Sequence, residues 1–142
     1  MPSATQPVPR LANHAFSALV RLGLGKDYRH ILTVTGRTTG RPRSTPVDVM
    51  TDGRHRWLVA PYGVTNWVRN ARAAGQVALQ RGRRRETLRV TELPTAERVP
   101  VLRQYLREVP ITARYFDVTD DSSDAAWLAE AQRHPVFRLE SN

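Results

Sequence analysis

From His30 to Ala60 the chain alternates apolar and polar residues in three successive runs, and no helical repeat separates them. His30 to Thr35 (HILTVT) is rich in branched residues, Ser44 to Thr51 sets Val47 and Val49 on one face, and Arg54 to Ala60 follows the dipeptide Asp52-Gly53. A period of two belongs to a half-buried strand, and Asp-Gly is a hairpin turn signal. Three strands in a row without crossover helices predict an antiparallel sheet.

Two more alternating runs, Val77 to Arg81 and Thr87 to Leu93, flank Gly82, and Pro135 to Glu140 (PVFRLE) reads as a last strand returning to the sheet. Helical spacing is confined to short stretches. One runs from Asn66 to Ala74 with Gly75 as its stop; another covers Thr95 to Glu108, which Pro100 must start or bend; a third covers Ser123 to Arg133 behind a cap at Ser122 or Asp121. Six strands with few helices predict a mainly β (α+β) fold, a six-stranded antiparallel barrel with short flanking helices, because closure removes sheet edges that would otherwise pair with other chains.

The length of 142 residues suits one core better than two. Residues 1–12 read as a flexible lead and residues 13–142 as a single domain. Within the latter, Phe16, Leu19 and Val20 recur at helical spacing before Gly23 and Gly25, so residues 13–24 either pack on the domain or touch a membrane surface. No apolar run is long enough to span a bilayer, and the first ten residues, with three prolines and one arginine, lack the apolar core of a signal peptide. The expected location is the cytoplasm, either free or peripheral to the inner face of the cell membrane.

The chain has no cysteine, which excludes disulfides, thiolate metal sites and a cysteine nucleophile. Its 22 basic residues, all but Lys26 arginine, outnumber 13 acidic ones for a net charge of +9. Residues 1–89 hold 16 of the basic and 4 of the acidic groups. An anionic partner is therefore expected on that part of the chain.

Gly36 to Arg43 (GRTTGRPR) puts three guanidinium groups and two hydroxyls within eight residues. Its glycines allow close approach of backbone N–H groups to a ligand, and arginine's planar fork suits phosphate and carboxylate oxygens. The loop reads either as an anion cradle or as a solvated turn. In the segment Pro61 to Asn70 (PYGVTNWVRN), Trp67, Asn70, Ala71 and Ala74 are expected to share a helix face. The Asn70 amide there must find partners, in backbone groups or in the polar edge of a bound heterocycle.

Arg81 to Arg85 places four arginines at a hairpin, but no nucleic-acid-binding module accompanies them, and no nucleic-acid partner is expected. His14, His30, His55 and His134 show no metal-ligand spacing, so no metal site is expected. Tyr62, Tyr105, Tyr115 and Phe116 are candidates to line a pocket, a phenol being able to donate a proton to a developing anion.

The runs ILTVTGRTTGRPRSTPV (Ile31 to Val47), WLVAPYG (Trp57 to Gly63), NWVRNARAAGQVAL (Asn66 to Leu79) and HPVFRLE near the C-terminus resemble the deazaflavin-dependent nitroreductase family of actinobacteria. The similarity extends from about Leu19 to Glu140. It implies a split β-barrel of the FMN-binding-like kind that uses coenzyme F420, an 8-hydroxy-5-deazaflavin with a phosphate and a polyglutamate tail, with FMN as the alternative cofactor. By that resemblance Arg37, Thr38, Arg41 and Arg43 hold the phosphate and tail, and Pro61, Tyr62, Gly63, Trp67 and Asn70 line the ring. Tyr62 and Tyr115 become the candidate proton donors. The implied activity is hydride transfer to a small-molecule electron acceptor such as a quinone or nitroaromatic, by a monomer or homodimer; a protein that binds the ligand without turnover is the alternative.

Overall fold

Alternation sends every second side chain of six strands into one shared interior. The computed structural model describes residues 28–142; the lead over residues 1–12 and the helix over 13–24 lie outside the described residues. The strands are β1 (Arg29–Thr35), β2 (Pro42–Thr51), β3 (Arg56–Val59), β4 (Gln76–Arg81), β5 (Arg84–Glu92) and β6 (Val136–Ser141). Helices α1 (Asn66–Ala74), α2 (Thr95–Glu108) and α3 (Asp124–Ala131) and a 3-10 turn (Pro110–Tyr115) complete the described elements. The sheet closes in the order β1-β2-β3-β6-β5-β4, with every neighbouring pair antiparallel.

The interior is filled by Leu32 and Val34 of β1, Val47 and Val49 of β2, Leu58 of β3, Val77 and Leu79 of β4, Leu88 of β5, and Phe137 and Leu139 of β6. Each such side chain contributes about 1.5–3 kcal/mol by leaving water. Val68 and Ala71 of α1 join this cluster, with Val64 and Trp67 packed against it, so the helix stoppers one end of the barrel. The other end is closed by charge. Arg56 alternates with Leu58 and Glu86 with Leu88, and their side chains meet in a two-pronged bond of 2.9 and 3.0 Å.

A second core lies outside the barrel. Met50, Val59 and Val136 face away from the interior and are covered by Val101, Leu102 and Tyr105 of α2, Trp127 and Ala131 of α3, and Phe116 and Val118. This layer is why Met50, Val59 and Val136 are buried on the outward faces of β2, β3 and β6.

Several boundaries differ from the sequence expectation. β2 starts at Pro42, two residues early, because Thr35 pairs with Pro42 and Val34 with Arg43, and a strand's first residue tolerates proline. β3 is shorter than Arg54 to Ala60: the Asp52 carboxylate accepts the amides of Arg54 and His55 at 2.8 and 2.7 Å, winding a wider loop around Gly53. Those two bonds hold the Asp52 carboxyl down at about 2. β5 begins at Arg84, which pairs with Arg81, so half of the arginine hairpin is strand. α2 runs through Pro100 instead of starting there. The cap of α3 is Ser123, whose Oγ accepts from Ala126 N at 3.1 Å, while Ser122 accepts from Thr119 in the preceding turn.

Candidate functional site

The loop between β1 and β2 folds on itself before it meets any other element. Gly36 N–H donates to the Arg41 carbonyl at 2.8 Å, and Gly40 N–H to the Gly36 carbonyl at 2.9 Å. Gly40 takes a left-handed φ of 73°, and a Cβ on Gly36 would stand 3.1 Å from both the Arg41 carbonyl and Thr39 Oγ1. Both positions therefore select glycine. The curl leaves Arg37, Thr38, Arg41 and Arg43 exposed on one rim of the barrel.

One bond pair fastens this loop to α1. Asn70 Oδ1 accepts from Arg37 backbone N at 3.0 Å and from Arg37 Nη1 at 2.8 Å. Asn70 is only 4% exposed, so its oxygen is committed to the loop and the guanidinium of Arg37 is held in place. The buried residues of α1 are Val68, Asn70 and Ala71. Ala74 is exposed and Trp67 half-buried, its ring tilted on Phe137 at 5.8 Å. The expected common face of Trp67, Asn70, Ala71 and Ala74 is thus rotated, because a helix that plugs a barrel end buries only the residues directed into the opening.

The turn Pro61-Tyr62-Gly63 links β3 to α1. Gly63 has φ 86°, and its α-carbon faces the Arg133 carbonyl, 3.4 Å from where a Cβ would stand. Ala60 N–H donates to Pro135 C=O at 2.9 Å. Behind this segment His134 Nε2 meets Glu130 Oε2 at 2.6 Å, with Glu130 also bonded to Arg133, and the imidazole stacks on Phe116. Burial lowers the His134 value despite the opposing pull of Glu130. At the start of α1, Thr65 Oγ1 is buried and has no hydrogen-bond partner among the described residues.

Tyr62 is half-buried, and its ring meets that of Tyr115 edge-on, with centroids 4.7 Å apart. The Arg114 guanidinium lies over the Tyr115 ring at 5.3 Å. Burial, then Tyr115 and Asp48, push the Tyr62 phenol above its ordinary value. The structure thus joins Arg37 to Asn70 and Tyr62 to Tyr115, whereas Trp67 turns toward the barrel core.

Sequence reasoning missed Arg29, Asp48, Glu130 and the buried role of His134. Tyr105 OH donates to Asp48 Oδ2 at 2.6 Å, and Asp48 Oδ1 meets Arg29 Nε at 3.0 Å. The available signal for Arg29 and Asp48 was Asp48 itself, a carboxylate two residues before Met50 on the outward face of β2. Among the described residues no group of three or more His, Cys, Asp or Glu is placed to hold a metal ion.

A closed six-stranded antiparallel barrel with a basic rim loop and an adjoining aromatic turn is a split β-barrel protein. Residues 13–123 match the model of the F420H(2)-dependent quinone reductase family, and the chain belongs to that family; it is an oxidoreductase whose cofactor is coenzyme F420. Among solved structures, an F420-H2 dependent reductase (FDR-A) is similar at 23% identity, with 80% of this chain and 95% of that chain covered and a TM-score of 0.59. A structure described as a domain-swapped dimer is similar at 20% identity over 89% and 95% of the two chains, TM-score 0.60. An FAD-binding protein from Mesorhizobium loti is similar at 14% identity over 95% and 91%, TM-score 0.52. These likenesses carry the fold. No curated protein matches the chain in sequence.

Proposed function

We propose that the chain reduces small conjugated acceptors, quinones or nitroaromatics, at the rim formed by the β1–β2 loop, α1 and the Pro61–Gly63 turn. The observation that carries this reading is the tether from Asn70 to Arg37, which presents a fixed guanidinium beside the exposed Arg41 and Arg43. That donor set fits an anionic cofactor: the phosphate and carboxylate tail of F420 accept charge-assisted bonds, each contributing about 1.5–3 kcal/mol before ordering costs. The orphaned Thr65 hydroxyl at the start of α1 also awaits a polar partner.

Arg37, Thr38, Arg41 and Arg43 bind the anionic part. Asn70 orients Arg37, and Pro61, Tyr62 and Gly63 line the ring, while Trp67, turned onto Phe137, braces α1 behind them. When bound, the deazaflavin supplies a hydride, since carbon replaces the reactive flavin nitrogen. An acceptor that has gained hydride is an anion, and the Tyr62 or Tyr115 hydroxyl supplies its proton.

Titrating the protein into oxidised F420 and following fluorescence tests binding, with micromolar affinity expected and no binding fatal to the reading. Reduced F420 with a panel of quinones and nitroaromatics then tests turnover. Tight binding without acceleration of any acceptor would favour a carrier of the same cofactor, and tighter binding of FMN than of F420 would reassign the cofactor.

A further inference from the structure

Arg72, Glu92 and Arg98 form a charged cluster at the α1 end of the barrel that the proposed function leaves unused. Glu92 ends β5 on the same inward row as Leu88 and Val90, so its carboxylate emerges where α1 stoppers the barrel. Glu92 Oε1 accepts from Arg72 Nε and Oε2 from Arg72 Nη2, both at 2.7 Å. Oε2 also accepts from Arg98 Nη2 at 3.1 Å. Arg98 commits its other two nitrogens to backbone, donating from Nε to the Leu93 carbonyl at 2.9 Å and from Nη1 to the Ala131 carbonyl at 3.0 Å. One carboxylate therefore fastens α1 to a guanidinium that is itself held by the ends of β5 and α3.

We infer that Glu92 is a positioning residue for cofactor binding: by gripping Arg72 it sets the rotation of α1 about its own axis, and with it the aim of Asn70 at Arg37. This deepens the proposed function and rests on its reading of Arg37 as a cofactor ligand.

The physical basis is the geometry of a short helix held from two sides. Two residues along a helix turn through about 200°, so Arg72 and Asn70 project from nearly opposite sides of α1. Asn70 is buried and Arg72 exposed, as that angle requires. Val68 and Ala71 hold the helix in the barrel mouth, but apolar contact is non-directional and tolerates a roll. The bond from Val90 N–H to the Gly75 carbonyl, at 3.0 Å, pins only the C-terminal end. The tether demands more, since Asn70 Oδ1 must meet Arg37 N at 3.0 Å and Arg37 Nη1 at 2.8 Å at once. A roll of about 10° carries an atom about 5 Å from the axis through about 1 Å, enough to lose a hydrogen bond. A bidentate Arg–carboxylate pair fixes orientation as well as distance, and the one between Arg72 and Glu92 restrains that roll.

The first test follows amide exchange by NMR in the protein without cofactor. In Glu92→Gln the Arg37 N–H, which donates to Asn70, is expected to exchange about tenfold faster, approaching its rate in Asn70→Leu. The Gly36 N–H, bonded within the loop to the Arg41 carbonyl, should keep its wild-type rate. The second test is a double-mutant cycle in F420 affinity, read by fluorescence titration. Glu92→Gln is expected to weaken binding about three- to fivefold in the wild-type background, but by less than about 1.5-fold in Asn70→Leu, whose tether is already gone. The sign discriminates as well: removing a negative charge near an anionic ligand would, by field alone, tighten binding. An Arg37 amide at its wild-type rate, faster exchange at Gly36 as well, unchanged or tightened F420 binding, or equal losses in both backgrounds overturns the inference. If Glu92→Gln fails to fold, Arg72→Gln, which leaves the bond between Glu92 and Arg98 in place, runs the same exchange comparison and the same cycle. A wild-type chain that does not bind F420 overturns the proposed function instead, and the exchange comparison still decides whether Glu92 governs the tether.

Discussion

The barrel carries two arginine-rich turns, and they differ in what their guanidinium groups hold. In the β1–β2 loop Arg37 is pinned by a buried amide from another element, and Arg41 and Arg43 stand exposed beside it. In the β4–β5 hairpin Arg81 donates to the Arg29 carbonyl at 2.9 Å, while Arg83, Arg84 and Arg85 stand exposed, Arg84 lying 3.5 Å from Glu86. Both turns expose three arginines, and what sets them apart is the buried Asn70 amide that fixes Arg37. A cation that is both fixed and exposed offers a ligand its charge without the entropy of ordering a long side chain.

The contrast breaks most sharply at Arg37. Arg37→Ala is expected to weaken F420 binding by roughly 10- to 100-fold, the loss of one charge-assisted bond of about 1.5–3 kcal/mol, measured by fluorescence titration. Asn70→Leu keeps the charge but removes its tether, and about tenfold weaker binding is expected, with a lower unfolding midpoint in denaturant from the lost buried bonds. Arg43→Ala, whose guanidinium has no such anchor, should cost only a few-fold in affinity. Arg84→Ala should leave Kd within about twofold at low and high salt alike. If Arg84→Ala matched Arg37→Ala, the two turns would act as one general field and the comparison would collapse.

The smallest effect concerns acid stability at the charged end of the barrel. Hydrogen bonding from Arg56 holds the Glu86 carboxyl below the ordinary carboxylate range. Its contribution is therefore present above that range and is lost as pH falls through the lowered value. Arg56→Met should remove this part of the pH dependence, about 1 kcal/mol or less since the pair is partly solvated, as read from urea midpoints between neutral and acid pH. F420 affinity should be unchanged, because the pair sits at the far end from α1.

The barrel was legible because its information is local: each strand announces itself by alternation, and Val47 and Val49 or Leu58 cannot face water. The loop from Gly36 to Arg43 was legible as chemistry for the same reason, its arginines being neighbours in the chain. Its tether was not, since Asn70 lies 33 residues away and could equally have bonded to backbone or ligand. Asp48 and Tyr105 are 57 residues apart and meet only because α2 packs on the outer face of β2. The cap of α3 shows a finer limit: Ser122 and Ser123 are the same residue type, and only the geometry of the turn decides that Ser123 reaches the Ala126 amide.

The position of β6 has a consequence for how the molecule is made. It is the last strand in chain order, yet it lies between β3 and β5, with Phe137 opposite Leu58 and Leu139 opposite Val90. Until residues 136–141 leave the ribosome, β3 and β5 each keep an unpaired edge and the interior stays open on that side. Such long-range pairing is slow to form and leaves sticky edges in the meantime. The nascent chain therefore depends on late closure by a single strand, and a stalled or shortened product lacking it would present two aggregation-prone edges at once.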